Sequence, residues 1–149
     1  ERMTIEAPPA SSHAVHNVMM ANRSKDTKPE IIVRKMLREY GYPGYRLHWR
    51  IDDEDGRFVC RPDVSYPGRK FAIFVHGCFW HRCPTCGLSL PKSNVEYWKD
   101  KFERNQERDA RKESSLSDLG WSVHTIWECE IGSGVDKVVK ILSENSGRL

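Results

Sequence analysis

The spacing of hydrophobic positions predicts three helices. The first begins at the capping-box pattern Thr27-Lys-Pro-Glu30, in which the two outer side chains satisfy backbone N–H groups, and it ends at Gly41. A second capping-box pattern, Ser93-Asn-Val-Glu96, opens a long charged helical region that extends to Leu119. The pattern is compatible both with one continuous helix and with a helix broken in the middle of this region. The last helix is expected over residues 134–144. The apolar face of the first helix consists of Ile32, Val33, Met36, Leu37 and Tyr40.

Four segments have the pattern of strands. Residues 45–51 alternate between apolar and polar side chains, which is typical of a half-buried strand. Residues 57–66 form a second strand that Pro62 interrupts, as at a sheet edge or a bulge. Residues 70–76 are nearly all apolar and therefore suit a central strand, and residues 121–128 form the last one. The order of helix, three strands, helix, strand and helix predicts a small mixed α/β domain.

Composition and charge restrict the class of protein. The chain has 149 residues, of which 38% are hydrophobic and 30% are charged, so we expect one soluble domain over residues 23–149. Residues 1–22 contain a linker-like Ala-Pro-Pro-Ala-Ser-Ser and are expected to be flexible; a frayed terminus and a segment that orders on DNA are both open. No signal peptide or membrane span is expected. The net charge of +3 is compatible with a polyanionic partner without requiring one.

The cysteines predict a metal site. Cys78, Cys83 and Cys86 lie close together in the sequence, and Cys129 follows the last strand. Four thiolates suit tetrahedral Zn²⁺, and a site without an open position is structural. A buried or redox-active cysteine pair is the alternative. The fifth cysteine, Cys60, is expected to pack inside its strand.

The central apolar strand leads directly into polar side chains that can perform chemistry. Asp63, in Arg61-Pro-Asp63, should lie beside the end of this strand, because the turn at residues 67–68 reverses the chain. This layout is similar to that of PD-(D/E)xK nucleases, where carboxylates on adjacent strands hold Mg²⁺ next to a scissile phosphate. The acid and lysine of the second half are missing, because Phe74-Val75-His76 stands there. The nuclease signal in this pattern is therefore weak by itself.

A longer motif is much more specific. Residues 75–83 read Val-His-Gly-Cys-Phe-Trp-His-Arg-Cys, which closely resembles the signature of the very-short-patch repair endonucleases, the Vsr family. Residues 23–30, 61–63, 105–109, 119–121 and 126–129 resemble that family's other blocks in the same order. The resemblance covers residues 19–131.

The resemblance implies a restriction-endonuclease-like (PD-(D/E)xK-type) core flanked by helices, and a defined activity. Vsr enzymes nick double-stranded DNA on the 5′ side of the T in a T:G mismatch, the product of 5-methylcytosine deamination. They leave 5′-phosphate and 3′-hydroxyl ends for resynthesis. By this resemblance, we expect a Mg²⁺-dependent endonuclease of the bacterial cytoplasm, associated with the nucleoid and acting as a monomer. Mismatch-repair and repair-polymerase proteins are candidate partners.

Residue roles also follow from the resemblance. Asp63 matches the Mg²⁺-binding carboxylate, and Val75 matches a position whose backbone carbonyl binds the metal. His81 matches the catalytic histidine, Asp109 its supporting carboxylate, and Glu30 and His76 match residues that hold metal-bound water. Phe79, Trp80 and Met19 match the residues that wedge into the DNA. Cys78 and Cys129 match zinc ligands directly, whereas Cys83 stands for a histidine ligand and Cys86 is displaced by one residue.

Each assignment has a structural alternative. Glu30 could serve only as the capping-box acid, and Phe79 and Trp80 could be core aromatics. His48 is expected to be an ordinary surface or strand residue. At the level of function, the alternatives are a restriction- or homing-type nuclease of the same fold with different specificity, and a zinc-stabilised DNA-binding module without catalysis.

Overall fold

A computed structural model describes residues 26–144 of the chain. Residues 1–22, including Met19, lie outside this part, so the structure does not test the predictions made for them. The elements are α1 (Lys28–Glu39), β1 (Arg46–Leu47), β2 (Ile51–Asp52), β3 (Phe58–Cys60), β4 (Val64–Tyr66), β5 (Phe71–His76), α2 (Cys78–His81), α3 (Val95–Asp118), β6 (Ser122–Trp127) and α4 (Ile131–Glu144), with short 3₁₀ turns at Pro67–Arg69 and Glu128–Glu130. Between residues 26 and 144, no helix combines the length and apolarity that a bilayer crossing requires.

The predicted first helix is confirmed at both ends. Thr27 caps α1, and Glu30 reaches back to the cap residue, so the capping box forms as its sequence predicts. At the other end, Gly41 adopts φ +90°, a left-handed conformation that glycine reaches without a steric penalty.

A four-stranded mixed sheet forms the centre of the fold, with the strand order β1-β4-β5-β6. β5 is antiparallel to β4 and parallel to β6, so the prediction that this apolar strand is central is confirmed. α1 and α4 cover one face of the sheet. A core of buried side chains joins them to it, including Val33, Leu37, Ile73, Val135 and Leu142. A second cluster of buried side chains contains Leu116 of α3 together with Cys60 and Phe74.

Two of the predicted strands are each divided in two. Residues 45–51 do not form one strand, because His48 adopts φ +51° and the chain turns away from the sheet. Residues 57–66 also form two strands, β3 and β4, which lie in different sheets. The separation falls at Pro62-Asp63, where the proline lacks a backbone donor for a ladder. β2 and β3 consequently pair as a separate two-stranded ribbon.

The long helix differs from its prediction at its start and in its middle. The capping box at residues 93–96 does not form, because Asn94 lies in the left-handed region with φ +58° and makes no side-chain cap bond. The helix also has no break, although its inner face is polar in the middle. The apolar positions Trp98, Phe102 and Leu116 are buried at its two ends.

A glycine in α4 supports a close helix–sheet contact that can be tested. A Cβ on Gly134 would lie 2.9 Å from Cγ2 of Ile126, whereas a Cβ on Gly132 would meet nothing within 4 Å. We expect Gly134→Ala to lower the free energy of unfolding by about 1–3 kcal/mol, because the well-packed core must shift. Gly132→Ala is the matched control and should be neutral or slightly stabilising, since alanine favours a helix. Urea denaturation measures both, and equal stabilities for the two variants would contradict the close contact.

Candidate functional site

The start of β4 and the end of β5 are joined by a side-chain-to-backbone hydrogen bond. The backbone N–H of Val75 donates to Oδ2 of Asp63 at 2.7 Å. The antiparallel register that pairs Val64 with Ile73 places the aspartate at this point. The expected position of Asp63 beside the end of the central strand is therefore confirmed.

Asp63 and Glu30 form a close pair of carboxylates. Burial raises the pKa of Asp63 to about 7; the Val75 hydrogen bond acts in the opposite direction, and the neighbouring Glu30 adds to the increase. The side chain of Glu30 is only 3% exposed. Two like charges held together away from water are unfavourable unless a proton or a cation is shared between them.

Glu30 has two differently placed oxygens. Oε2 accepts hydrogen bonds from the backbone N–H and the hydroxyl of Thr27, at 3.0 and 2.7 Å, which is the capping interaction. Oε1 points towards Arg34 and His48, at 3.5 and 3.8 Å. The capping role is thus present, and it leaves one oxygen facing the site.

His48 is a residue that the sequence reasoning missed. One of its ring nitrogens and one carboxylate oxygen each of Glu30 and Asp63 all lie within 4.8 Å of one another, a spacing that could hold a metal ion. The bend between β1 and β2 brings the ring there, so the side chain is not an ordinary strand residue. The available signal was the histidine itself, but the predicted unbroken strand concealed the turn.

Two histidines and a second aspartate form a neighbouring group. His81 Nδ1 and Asp109 Oδ2 lie 2.6 Å apart, and the rings of His76 and His81 stack at 3.9 Å between centroids with 5° between their planes. Burial, together with the neighbouring His81, lowers the pKa of His76 to about 4, so His76 is neutral at physiological pH. Burial alone would raise the pKa of Asp109, but the hydrogen bond with His81 and nearby positive charges lower it overall.

Lys112 contributes positive charge to both groups. Its charge acts to lower the pKa values of Asp63, His76 and Asp109. Lys112 lies three residues after Asp109 and four before the buried Leu116, so the three share one face of α3.

The four predicted cysteines converge at the far side of the same loop. The Sγ atoms of Cys78, Cys83, Cys86 and Cys129 lie within 4.8 Å of one another, and those of Cys83 and Cys129 are 3.6 Å apart. Two thiolates on a tetrahedral zinc ion, each at about 2.3 Å, are about 3.8 Å apart. The thiols are free, so no disulfide competes with this interpretation. A metal ion fits the donor set.

Phe79 and Trp80 belong to an aromatic cluster. Phe79 packs edge-on against Trp98 and Phe102, with centroid distances of 5.6 and 5.2 Å. Trp80 lies 5.7 Å from Trp98, with its backbone carbonyl accepting a hydrogen bond from Asn105 at 3.0 Å. Both aromatic residues remain half-buried. Without DNA, the two rings therefore pack against the buried aromatic side chains of α3 and stay partly exposed to solvent.

Fold and site together define a small mixed α/β protein with a four-cysteine cluster and an adjoining site of carboxylates and histidines. Residues 11–86 match the family model described as "DNA mismatch endonuclease Vsr". The chain belongs to the Vsr family of DNA mismatch endonucleases, and endonuclease activity is the activity of that family.

Relatives from three bacteria support this membership. The Type II nicking enzyme V.XorIIP of Xanthomonas oryzae is 44% identical over 114 residues, covering 76% of this chain and 79% of the relative. The Type II nicking enzyme V.NmeAIP of Neisseria meningitidis is 39% identical over 114 residues, covering 76% of each chain. The DNA mismatch endonuclease Vsr of Escherichia coli is 34% identical over 113 residues, covering 76% of this chain and 68% of the relative.

The buried carboxylate of Asp63 should destabilise the protein when it is ionised without a cation. An aspartate in the unfolded chain titrates near about 3.9, and the folded-state pKa is higher. The folded state binds the Asp63 proton more tightly than the unfolded state does. The resulting stabilisation is fully present below about pH 4 and is lost as the pH rises through about 7. Asp63→Asn cannot ionise, so it should raise the free energy of unfolding at pH 8 by about 1–3 kcal/mol in Mg²⁺-free buffer.

Denaturation at pH 5 and pH 8, with the cysteine cluster metallated, measures this effect. The exposed Asp55 offers the control variant Asp55→Asn, which should leave stability within about 0.5 kcal/mol of the native value. An Asp63→Asn protein no more stable than the native chain at pH 8 would show that the carboxylate is well solvated.

Proposed function

We propose that the protein is a strand-specific mismatch endonuclease that nicks 5′ of the T in T:G mismatches and so initiates very-short-patch repair. Family membership supports the mismatch endonuclease class. The observation that carries the chemistry is Asp63, held by Val75, beside the hydrogen-bonded pair His81–Asp109. The products would be a 5′-phosphate and a 3′-hydroxyl, with the lesion arising from deamination of 5-methylcytosine.

The core is proposed to be a variant of the PD-(D/E)xK type. Asp63 occupies the position of the first acid, next to the end of the central strand. The second acid and the lysine are absent from β5, which ends in Val75-His76. Glu30 from α1 and Lys112 from α3 supply a carboxylate and an ammonium at the same site from other elements.

The residues present fit a catalytic Mg²⁺. Asp63 and the backbone carbonyl of Val75 would hold the ion, with Glu30 and His76 beside it. The close carboxylate pair supports this, as does Nδ1 of His76, which is buried without a hydrogen-bond partner in the described part of the chain. When bound, Mg²⁺ supplies charge neutralisation on the phosphate and makes a water molecule more acidic.

His81 is proposed as the general base. Asp109 lies 2.6 Å from its Nδ1 and would hold the proton there, so Nε2 is left as the acceptor for a proton from the attacking water. The lowered pKa of Asp109 keeps that carboxylate charged, which also stabilises His81 after it accepts the proton. Lys112 would place positive charge near the phosphate.

The mismatch is proposed to be recognised by its deformability. Phe79, Trp80 and Met19 would insert into the base stack, where unstacking costs a few kcal/mol per step and least at a mismatch. Phe79 and Trp80 lie on the same short helix as His81. Insertion of the aromatic side chains into the DNA would therefore be coupled to the positioning of His81, the proposed general base.

The cysteine cluster is proposed to bind a structural Zn²⁺. It would connect the loop after β5 to Cys129, beyond the end of β6, and thus fix the short helix that carries His81. With four thiolates, the ion would have no open position for substrate.

Further expectations concern cellular context. Double-stranded DNA is the proposed substrate, bound by a monomer in the bacterial cytoplasm at the nucleoid. Mismatch-repair and repair-polymerase proteins are proposed to act with it.

Two alternatives give different outcomes in one assay. A nuclease of the same family with another specificity is favoured by the names of several relatives, "Type II nicking enzyme". A DNA-binding module without catalysis is disfavoured by the geometry of Asp63, His81 and Asp109.

A labelled duplex containing one T:G pair should be nicked 5′ of the T in Mg²⁺, while the matched T:A duplex stays intact. Asp63→Ala should abolish nicking but retain binding, since it removes the proposed metal ligand. His81→Gln should lower kcat by about 10²- to 10⁴-fold, because the base is lost. The matched control is His124→Gln. His124 lies on β6 and stacks on Phe71, at the end of β5 away from the site.

Sequencing-gel analysis of single-turnover reactions gives the position and rate of the nick. Cleavage of both duplexes would contradict mismatch specificity, and binding without cleavage would contradict the enzyme. Nicking by Asp63→Ala would overturn the metal assignment.

One zinc per chain should be found by elemental analysis of the purified native protein. Cys129→Ser should lose the metal and lower Tm by at least about 5 °C, because structural zinc sites contribute folding free energy. Cys60→Ala is the control, since Cys60 is buried in β3 and lies outside the cluster. Full zinc occupancy in Cys129→Ser would contradict the four-thiolate site.

A further inference from the structure

We infer that the cation bound by Asp63 also takes Glu30 and His48 as direct ligands, and that the histidine nitrogen makes the site prefer Mn²⁺ to Mg²⁺. The inference rests on the proposed function, because it concerns the same metal-dependent site. It adds a residue that neither the motifs nor the family resemblance assigned, together with a metal preference.

The spacing of the three side chains suits one ion. His48 Nε2 lies 3.8 Å from Glu30 Oε1. A ring nitrogen of His48, a carboxylate oxygen of Glu30 and a carboxylate oxygen of Asp63 all lie within 4.8 Å of one another. Two ligands bound to one ion at about 2.1 Å are between about 3 and about 4.2 Å apart. Side-chain movements of up to about 1 Å would therefore bring all three atoms to bonding distance.

The backbone at His48 indicates that its position is imposed by the structure. The residue adopts φ +51°, which is uncommon for a residue with a side chain, although histidine and asparagine tolerate it better than most. This conformation breaks the predicted strand and turns the ring inwards, where the side chain is 21% exposed. Without the turn, the alternation of residues 45–51 would continue along a sheet edge.

The existing contacts of the ring nitrogen are long. His48 Nε2 lies 3.5 Å from Arg34 Nη2, 3.7 Å from Asp26 and 3.8 Å from Glu30 Oε1, and none of these is a strong hydrogen bond. Arg34 Nη2 has a shorter partner, since it donates to Asp26 at 2.8 Å, and that carboxylate offsets its charge. A cation bound by His48 would therefore replace a weak contact with Arg34.

The donor set determines the metal preference. Carboxylate oxygens suit Mg²⁺ and Mn²⁺ alike, whereas an imidazole nitrogen is a softer ligand that Mg²⁺ rarely accepts. A site of two carboxylates and one imidazole should therefore discriminate in favour of Mn²⁺.

Mn²⁺ binding to the zinc-loaded full chain, without DNA, tests the inference by electron paramagnetic resonance. We expect a directly bound nitrogen in the spin-echo modulation of the native protein, and its loss in His48→Asn, which tolerates the same backbone conformation. The Kd for Mn²⁺ should rise at least about tenfold in this variant, and the Kd for Mg²⁺, measured by competition, should rise less than threefold.

Two further variants control the result. Asp26→Asn removes the ionic partner of Arg34 and His48, and it should leave the nitrogen signal intact; if it reproduces the effect of His48→Asn, His48 acts only through that ion pair and the inference is overturned. His124→Gln should match the native protein. An unchanged nitrogen signal in His48→Asn also overturns the inference. Failure of T:G nicking with a His48-dependent signal would instead refute the proposed function and leave this metal site standing.

Discussion

The hydrogen bond from the Val75 N–H to Asp63 is the interaction on which the site depends. It joins the start of β4 to the end of β5 at 2.7 Å and fixes an otherwise isolated carboxylate beside the residues that follow the central strand. β5 is paired on both sides, so neighbouring strands hold its backbone from two directions. Every other group in the site is positioned relative to this point, by α1, by the bend at His48 or by α3.

The same geometry concentrates unfavourable electrostatics. Asp63 and Glu30 are like charges with little access to water, and His76 is kept neutral by burial at the end of the adjacent strand. Lys112 offsets some of this charge, but it reaches the site from a helix that the nuclease pattern in the sequence does not include. A fold optimised only for stability would replace such a group with apolar side chains. A charged ligand would account for the presence of this group.

The sequence predicts the parts of this protein that depend on local rules. The capping box at Thr27, the central apolar strand and the convergence of the cysteines are confirmed, because each follows from neighbouring residues or from metal chemistry. The prediction is wrong for residues 45–51 and for Ser93-Asn-Val-Glu96, where His48 and Asn94 adopt left-handed conformations. Periodicity carries no information about such positions, since both residues tolerate ordinary backbone geometry as well. The position of His48 near Glu30 was therefore inaccessible from the pattern alone.

The open question of a break in the long helix has a physical answer in the site. The inner face of α3 is apolar at both ends and polar between them, which resembles an interruption when hydrophobicity alone is considered. In the structure, Asn105 donates to the carbonyl of Trp80, and Asp109 pairs with His81, so the polar section contacts α2. α2 spans only four residues, Cys78–His81, and cannot be stable by itself.

The conformation of α2 is imposed from two sides. α3 holds it through those polar contacts, and Glu128 accepts a hydrogen bond from the Cys78 N–H at 3.3 Å, next to the cysteine cluster. A change in either support would move the aromatic residues and His81 together, because one turn of helix carries them. The polar middle of α3 is thus required to hold α2 in place. Because α3 is continuous, its two buried ends fix the position of this polar section.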